Sequence, residues 1–432
     1  MQPSQTLPPS GCSISTSPRQ PPVNPAVLFV MPQTEDADTA SAERERVVII
    51  GGGAAGLAAA AVLKGSRVDA LVLEQADEVG ASWQGRYDRL RLHTVRWLSS
   101  LPGLRLRRSE GRWVPRDGVV RYLKAYVRHH QLRVRLSTAV TSVQRDERGW
   151  RVETSAASVC ADAVIVATGY NRVPVIPEWH GMSDFTGELL HSSAYRTASV
   201  YAGDDVLVVG AGNSGAEIAV DLVEHGARSV SLSVRTAPHI VRRDVVGVPS
   251  QLLVVLLGRL PVRAVDSIAS AVERLTVGDL SRYGMASPDR GLYSRVLADE
   301  RFPVLDVGLI GALKRGEVDV VPAVVAFDHG DVVLAGGMRV RPRVVIAATG
   351  FTRGLDDLVG HLGVLDSKGN PPTPAGRAAI QAPDLYFIGY SNPLSGHLRQ
   401  FGIDARRVAR NIGGNGHRHE PRGRGSGAKS RR

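Results

Sequence analysis

Two glycine-rich turns of the same form constrain most strongly what this chain can fold into. They read Gly51-Gly52-Gly53-Ala54-Ala55-Gly56 and Gly210-Ala211-Gly212-Asn213-Ser214-Gly215. In each case a short apolar run precedes the glycines and a helical pattern follows them, which is typical of a buried parallel strand, a tight turn and a helix. Such a unit places a dinucleotide pyrophosphate at the N-terminus of the helix. Two units predict an α/β chain that carries two dinucleotides and transfers electrons between them.

The glycines of the first turn have separate tasks, and an acid follows the second strand of the unit. Gly51 permits the tight turn, Gly53 lets the backbone approach a pyrophosphate, and Gly56 lets the helix pack on the strand. Glu74 stands 18 positions after Gly56 and can accept the ribose hydroxyls of an adenosine. Because a carboxylate there repels a 2′-phosphate, the first unit fits FAD or NAD and does not fit NADP.

The second unit repeats this pattern with the opposite charge after its second strand. Arg235 stands 20 positions past Gly215, where the first unit has its acid. A planar guanidinium can hold a 2′-phosphate through paired charged hydrogen bonds. The second unit is therefore predicted to bind NADPH, and Arg242 or Arg243 can share the role of Arg235 or take it over.

Two near-copies of an apolar strand predict how the chain passes between the units. Residues 163–169 and 344–350 both end in Ala-Thr-Gly, and Gly169 and Gly350 each allow a crossover. The copies indicate that the chain leaves a first domain, builds a second and returns. Residues 384–389 then read as a strand that ends at Gly389, and residues 398–409 read as a helix. The N-terminus of that helix can stabilise negative charge on a reduced flavin.

Composition and cysteine count exclude several classes of protein. Much of the formal net charge of +11 lies in residues 413–432, which are rich in Gly, Arg and Ser and predict a disordered tail, not a specific nucleic-acid surface. Cys12 and Cys160 lie far apart with no Cys-x-x-Cys, so neither a disulfide framework nor a dithiol reductase is favoured. No apolar run reaches transmembrane length. A cytoplasmic protein without a metal site is predicted, and a homodimer stays possible.

A spaced fingerprint before the second turn resembles that of the flavin-containing monooxygenases. It runs Phe185-Thr186-Gly187-Glu188-Leu189-Leu190-His191-Ser192-Ser193-Ala194-Tyr195. The similarity is greatest to the YUCCA-type enzymes, which act on indole-3-pyruvate. The segment at 87–93 looks like their flavin-side loop, and the segments at 260–266 and 303–308 look like their mid-chain segments. The resemblance covers roughly residues 45 to 410.

The resemblance implies two Rossmann-like dinucleotide-binding domains, the second inserted in the first. Residues 43–200 and 331–412 would form a discontinuous FAD-binding domain, and residues 201–330 an NADPH-binding domain with a helical insertion. Residues 1–42 and 413–432 would be disordered tails. The residues expected to contact the cofactors lie in the turns, at strand ends and in the flavin-side loop: Gly51, Gly53, Gly56, Glu74, Trp83, Leu92, His93, Gly169, Gly210, Gly212, Asn213, Ser214, Gly215, Arg235, Gly350 and Gly389.

The implied reaction inserts one oxygen atom of O2 into a small organic substrate through a C4a-(hydro)peroxyflavin, at the expense of NADPH. His191 and Tyr195 would lie between the domains and orient the nicotinamide side, although His191 fits equally a hinge residue that hydrogen-bonds the backbone. A YUCCA-like enzyme would decarboxylate an α-keto acid, whereas an animal-type enzyme would oxygenate a soft nitrogen or sulfur. A peroxide-producing NADPH oxidase or redox sensor stays open as a different class of function.

Overall fold

The computed structural model describes residues 43–415 except 246, 258–259, 300, 373–377 and 379–380. The predicted tail at 1–42 lies outside the described residues, as does most of the tail at 413–432. Strands within the described part, β1 to β21 in chain order, span Glu43–Ile50, Leu71–Leu73, Arg133–Arg135, Val140–Asp146, Gly149–Thr154, Val159–Val166, Val173–Pro174, Glu188–His191, Asp205–Val209, Ser229–Ser233, Ile240–Arg242, Asp244–Val245, Val248–Pro249, Val304–Asp306, Asp319–Val321, Val324–Asp328, Asp331–Leu334, Arg339–Val340, Val344–Ala347, Phe351–Thr352 and Leu385–Phe387.

Helices connect and cover these strands. In chain order, α1 to α10 span Ala54–Gly65, Ala81–Gln84, Arg116–His130, Asn213–Glu224, Ser250–Leu257, Val262–Thr276, Leu292–Asp299, Leu309–Arg315, Asp356–Val359 and His397–Asn415. The helix α1 is Ala-rich and its small side chains let it lie close to β1, with Leu57 and Leu63 fully buried. The long helix α10 packs on α1, so the beginnings of both helices belong to the same part of the molecule.

The first large sheet is parallel around its first glycine turn. Its order is β3-β2-β1-β6-β5-β4, with β21 beside β6. The pairs β1–β2, β1–β6, β2–β3 and β6–β21 are parallel, whereas β4 and β5 add an antiparallel edge. The central strands are apolar on both faces, as strands covered on both sides must be. The side chains of Ile49 and Ile165 are fully buried between the helices and the sheet.

The second large sheet repeats this arrangement in a smaller form. Its order is β15-β10-β9-β19-β8, and every pair within it is parallel. The strands β9, β10 and β15 correspond to β1, β2 and β3, and β19 corresponds to β6. The chain thus leaves the first sheet after β6, builds the second sheet from β8 to β19, and returns to the first with β21.

The strand pairing corrects the predicted domain boundaries. The expected second domain covered residues 201–330, but β8 and β19 both lie in the second sheet, where Ala347 pairs with His191 and with Val209. The second unit therefore begins before Glu188 and ends after Ala347. The boundaries were wrong because a parallel strand far away in sequence, not the local pattern, decides to which sheet a strand belongs. The predicted tail at 413 also begins too early, since α10 continues to Asn415.

Candidate functional site

In the first turn, two glycines are packed against backbone and one is open. Gly51 has φ +111°, and a Cβ there would lie 2.6 Å from the carbonyl oxygen of Ala167. A Cβ on Gly56 would lie 2.0 Å from the carbonyl oxygen of Gly51. No heavy atom lies within 4 Å of the position that a Cβ on Gly53 would take. The fold therefore requires glycine at Gly51 and Gly56, whereas Gly53 leaves room for a group outside the protein.

The second turn has the same division. Gly210 has φ +110°, and its Cβ would lie 2.6 Å from the carbonyl oxygen of Ala348. A Cβ on Gly215 would lie 1.8 Å from the carbonyl oxygen of Gly210, while nothing lies within 4 Å at Gly212. Both turns open α-helices of 12 residues, whose free N–H groups attract an anion. Both sites therefore fit a pyrophosphate.

The acid after β2 lies directly over the first turn. Glu74 accepts hydrogen bonds from the backbone N–H of Gly52 at 2.6 Å and of Ala76 at 2.9 Å. Each carboxylate oxygen keeps a lone pair for a ribose hydroxyl. This geometry is compatible with the predicted adenosine contact.

Three arginines were candidates for the second unit, and the structure separates them. Arg235 follows β10 and is exposed, with no ion pair or hydrogen bond recorded among the described residues. The Nε of Arg242 donates to the carbonyl oxygen of Thr276 at 2.8 Å. Arg243 is largely buried and its Nη2 lies 4.0 Å from Glu217. Arg235 is thus the arginine at the strand end that a 2′-phosphate can reach without breaking a contact.

The other two predicted residues of the second turn have structural partners. The Asn213 side chain accepts from the N–H of Leu305 at 2.8 Å and donates to the carbonyl oxygen of Pro303 at 3.2 Å. These bonds fasten the turn to β14. Ser214 interacts with the Tyr87 hydroxyl, so it also connects the turn to the flavin-side loop.

The crossover glycines lie beside the turns, as the sequence pattern predicts. Gly169 has φ +102° and Gly350 has φ +93°, and no heavy atom lies within 4 Å of a Cβ at either. Before the first of them, the Thr168 N–H donates to the Tyr390 hydroxyl at 3.1 Å. Gly389 has φ +94°, and its Cβ would lie 3.1 Å from the Cβ of Ala55 in the first turn of α1.

The fingerprint residues His191 and Tyr195 are buried, and their polar side-chain atoms are hydrogen-bonded. His191 ends β8, its Nε2 lies 3.0 Å from the carbonyl oxygen of Gly350, and its Nδ1 lies 2.9 Å from the Ser193 hydroxyl. Burial lowers the pKa of the imidazole. The Tyr195 side chain is fully buried, and its hydroxyl donates to Asp221 at 2.6 Å. His191 has the contacts of the hinge alternative, and Tyr195 is held by packing and by its bond to Asp221.

The flavin-side loop brings together groups from both units. Trp83 lies in α2 and packs on the core around Leu92, whose side chain is buried. The Nε2 of His93 lies 2.6 Å from Oε1 of Glu217, and the Tyr87 hydroxyl donates to the other oxygen at 3.0 Å. Burial, and then the nearby carboxylate, raise the pKa of Tyr87. Glu217 lies on α4, so this contact joins the loop to the helix of the second turn.

Sequence reasoning missed Glu217 and His397. Glu217 interrupts an apolar helical stretch directly after a glycine turn, and a lone acid in such a stretch is the signal that indicates a buried partner. His397 begins α10, stacks on Phe401 with ring centroids 5.9 Å apart, and lies 6.0 Å from the Tyr170 ring. Its Nε2 is buried without a hydrogen-bond partner. Burial, and then the nearby His93, lower the pKa of this imidazole to about 4.

A cavity of about 490 Å³ lies between the flavin-side loop and α4. Glu217, Asp221 and Arg243 line its inner part, and the exposed side chains of Asp88 and Glu224 stand at its rim. The cavity is charged, unlike the apolar pockets that enclose most small ligands. Glu217 and Asp221, although almost fully buried, therefore form part of the wall of a charged space that opens to solvent.

The described part of the chain holds neither a metal cluster nor a membrane-spanning helix. No group of three or more His, Cys, Asp or Glu side chains among the described residues can hold a metal ion. None of the helices described is long and apolar enough to cross a bilayer. Cys160 is a buried free thiol without a second cysteine among the described residues, so no dithiol accompanies the turns there.

Two parallel sheets with matched, open glycine turns define the class of oxidoreductases that use a flavin and a nicotinamide dinucleotide together. A family model described as pyridine nucleotide-disulphide oxidoreductase matches residues 48–246, which include both turns. The solved flavin-containing monooxygenase from Stenotrophomonas maltophilia is similar, with a TM-score of 0.66, 26% identity and coverage of 86% of this chain and 98% of that one.

Curated relatives place the chain within that class. The probable indole-3-pyruvate monooxygenase YUCCA7 of Arabidopsis thaliana is 34% identical over 382 residues, which cover 84% of this chain and 86% of the relative. The indole-3-pyruvate monooxygenase YUCCA4 of Oryza sativa subsp. japonica is 34% identical over 385 residues, with the same two coverages of 84% and 86%. The chain belongs to the flavin-containing monooxygenase family, in the group of the YUCCA-type enzymes. The predicted flavin-dependent monooxygenase and its cofactors, FAD and NADPH, are confirmed at the level of the family.

Proposed function

We propose that the first turn binds FAD, the second binds NADPH, and the enzyme inserts one oxygen atom of O2 into a small α-keto acid, with loss of carbon dioxide. The observation that carries the assignment of the turns is their match in backbone combined with opposite charges at Glu74 and Arg235. The substrate class rests on the relatives named as indole-3-pyruvate monooxygenases.

For FAD, the chain supplies an open backbone, a helix N-terminus and a carboxylate. The N–H groups at the start of α1 bind the pyrophosphate, and the absent side chain of Gly53 lets it approach. Glu74 accepts the ribose hydroxyls. The bound and reduced flavin supplies the activation of O2, because none of the ordinary side chains performs that chemistry.

For NADPH, the chain supplies the equivalent backbone and a cation. Gly212 leaves the room for the pyrophosphate, and α4 supplies the N–H groups. Arg235 holds the 2′-phosphate through charged hydrogen bonds. The contacts of His191 with Gly350 and of Tyr195 with Asp221 lie within the second unit, so these residues orient the nicotinamide through the backbone of that unit.

The remaining task of the protein is to exclude water while oxygen is activated. The flavin-side loop contributes the buried Leu92, and α2 the half-buried Trp83, to an apolar wall. A dry site limits decay of the activated oxygen to hydrogen peroxide. No nucleophilic side chain is needed for this reaction.

The purified enzyme with FAD and NADPH tests the substrate class directly. A panel of α-keto acids, tertiary amines and sulfides is offered, and product, carbon dioxide, NADPH consumed and hydrogen peroxide are measured. We expect an α-keto acid to give one carbon dioxide for each NADPH. Oxygenated amines or sulfides instead would establish the animal-type reaction. Peroxide equal to NADPH with every compound would identify an oxidase or redox sensor and contradict the proposal.

A further inference from the structure

Glu217 is a buried acid that faces the first unit from the second. It lies on α4 directly after the second glycine turn, and only 2% of its surface is exposed. Both of its oxygens contact the flavin-side loop, one at 2.6 Å from His93 Nε2 and one at 3.0 Å from the Tyr87 hydroxyl. Burying a carboxylate is costly unless hydrogen bonds compensate for the lost hydration, and the two contacts to the loop supply that compensation.

The titratable and charged groups around the pair of Glu217 and His93 come from several elements. Tyr87, Arg89 and Arg91 face it from the flavin-side loop, Arg243 from beyond β11, Asp221 from α4 and His397 from α10. Of these, Arg89 is held by Asp221 at 3.4 Å and by Glu224 at 2.8 Å. Arg243 reaches Glu217 only at 4.0 Å. The histidine is therefore the group that approaches the carboxylate most closely.

One end of the pair meets water. Glu217 lines the cavity of about 490 Å³, whose rim carries exposed side chains such as Asp88 and Glu224. The carboxylate of Glu217 is thus the inner wall of a space that is connected to solvent.

The other end of the pair approaches the first unit. Thr94 follows His93, and its Cγ2 lies 2.8 Å from where a Cβ on Gly396 would be. His397 comes next, with its Nε2 buried and unpartnered. The helix that it begins packs on α1, and both Ala55 and Phe401 lie within 4 Å of a Cβ at Gly389. Glu217, His93 and His397 therefore form a line of titratable groups from the cavity to the N-terminus of α10, the helix end that the sequence predicts to face the reduced flavin.

The proposed reaction needs a route by which a proton enters the active site. Conversion of an α-keto acid anion, O2, NADPH and H⁺ into a carboxylate, carbon dioxide, water and NADP⁺ consumes one proton. Hydride transfer from NADPH to the flavin needs no proton from solvent. The proton therefore enters during the oxygen-dependent half of the cycle, in a site from which bulk water must be excluded.

We propose that Glu217 and His93 form a proton path across the two units, from the charged cavity to the flavin side. Glu217 takes up H⁺ supplied by the solvent in the cavity and passes it to Nε2 of His93, while the Nδ1 proton of that ring leaves toward the unpartnered Nε2 of His397 and ends in the water molecule that the reaction releases. Glu217 also fixes the orientation of the His93 ring and is in that respect a positioning residue. This inference rests on the proposed binding of FAD at the first turn.

The Glu217→Gln variant tests the path, because it keeps the size of the side chain and an acceptor for Tyr87 but cannot carry the proton. Glu224→Gln is the matched control, since it removes a carboxylate of the same helix and cavity without touching His93. We expect Glu217→Gln to bind FAD and to be reduced by NADPH without oxygen as the unaltered enzyme is. Its reoxidation with substrate should slow by about a hundredfold, within the range of general acid–base catalysis, and should lose its solvent isotope effect and pH dependence.

A second variant separates proton transfer from simple packing. His93→Gly should have the same defect, and added imidazole, which can enter through the cavity, should restore reoxidation with a rate that rises with imidazole concentration. If Glu217→Gln reoxidises with the pH profile and isotope effect of Glu224→Gln, or if imidazole has no effect on His93→Gly, the path is wrong. Failure of the unaltered enzyme to bind FAD or accept electrons from NADPH would instead overturn the proposed function.

Discussion

The two glycine turns agree in their backbone and differ in the charge that follows. A Cβ on the first glycine of either turn would lie 2.6 Å from a carbonyl oxygen of the neighbouring strand, whereas Gly53 and Gly212 are open. After the second strand of the unit stands Glu74 in one case and Arg235 in the other. The backbone of both turns leaves the same room for a pyrophosphate, so the side chain after the second strand is the feature by which the two units differ.

The largest expected effect concerns the last glycine of each turn, because its replacement should destabilise both units to a similar extent. In Gly56→Ala or Gly215→Ala the new Cβ would lie 2.0 Å or 1.8 Å from a backbone carbonyl oxygen, so the turn must open. We expect a loss of stability at or above about 3 kcal/mol, the upper end of ordinary overpacking costs. Urea unfolding measures it. Gly53→Ala, which meets no atom within 4 Å, is the control, and equal stability of all three variants would refute the packed geometry.

The next effect should separate the two units. Gly53→Val should fold but lose FAD, whereas Gly212→Val should keep FAD and lose its reduction by NADPH. Blocking a pyrophosphate removes two or more hydrogen bonds to a charged group, each worth about 1.5–3 kcal/mol, so affinity should fall at least about a hundredfold. Flavin absorbance and anaerobic reduction by NADPH measure the two losses. Loss of FAD from the Gly212→Val protein would contradict the assignment of the turns.

A smaller effect isolates the side chain after the second strand. Arg235→Ala should weaken NADPH binding by roughly 1.5–3 kcal/mol, the value of a charged hydrogen bond, and should leave NADH binding unchanged. Arg242→Ala is the matched control, because its guanidinium is already bound to the Thr276 carbonyl oxygen. Titration of both coenzymes against flavin reduction gives the affinities. An equal loss for NADH and NADPH would show that Arg235 does not contact the 2′-phosphate.

The smallest effect compares the histidines beside the two units. Burial lowers the pKa of His397 to about 4, whereas His191 has partners at both ring nitrogens. A lowered folded pKa means that the unfolded chain binds the proton first, so stability falls as the pH drops from about 6.5 toward 4. His397→Gln should remove part of this loss, on the order of 1 kcal/mol at pH 5, because one unit of pKa shift corresponds to about 1.4 kcal/mol. Urea unfolding at pH 5 and pH 8 measures it, and an unchanged difference would disprove it.

The parts of the fold that local sequence dictates could be predicted, and the parts that depend on distant partners could not. The spacing of Gly51, Gly53 and Gly56 specifies a strand, a turn and a helix, because only that backbone needs glycine at those positions. The sheet to which β8 and β19 belong depends on parallel pairing over more than a hundred residues, as in the pair Ala347–His191. For that reason the boundaries at 201 and 330 were wrong.

The candidate site shows the same limit. The turns, Glu74 and the loop around His93 could be named from motifs and resemblance. Glu217 could not, because its importance comes from Tyr87 and His93, which are 130 and 124 positions away in sequence. A motif describes what a cofactor touches, whereas the contacts that join two units arise only when both are folded.

The two passages of the chain between the sheets are paired with each other. The short strands β7 and β20 run antiparallel, with Phe351 opposite Pro174, and the Phe351 ring meets the edge of His191 at 4.9 Å. A single connecting strand would allow rotation about its own length. Two hydrogen-bonded strands resist torsion and bend in one direction. We therefore expect any relative motion of the two sheets to be bending about one axis.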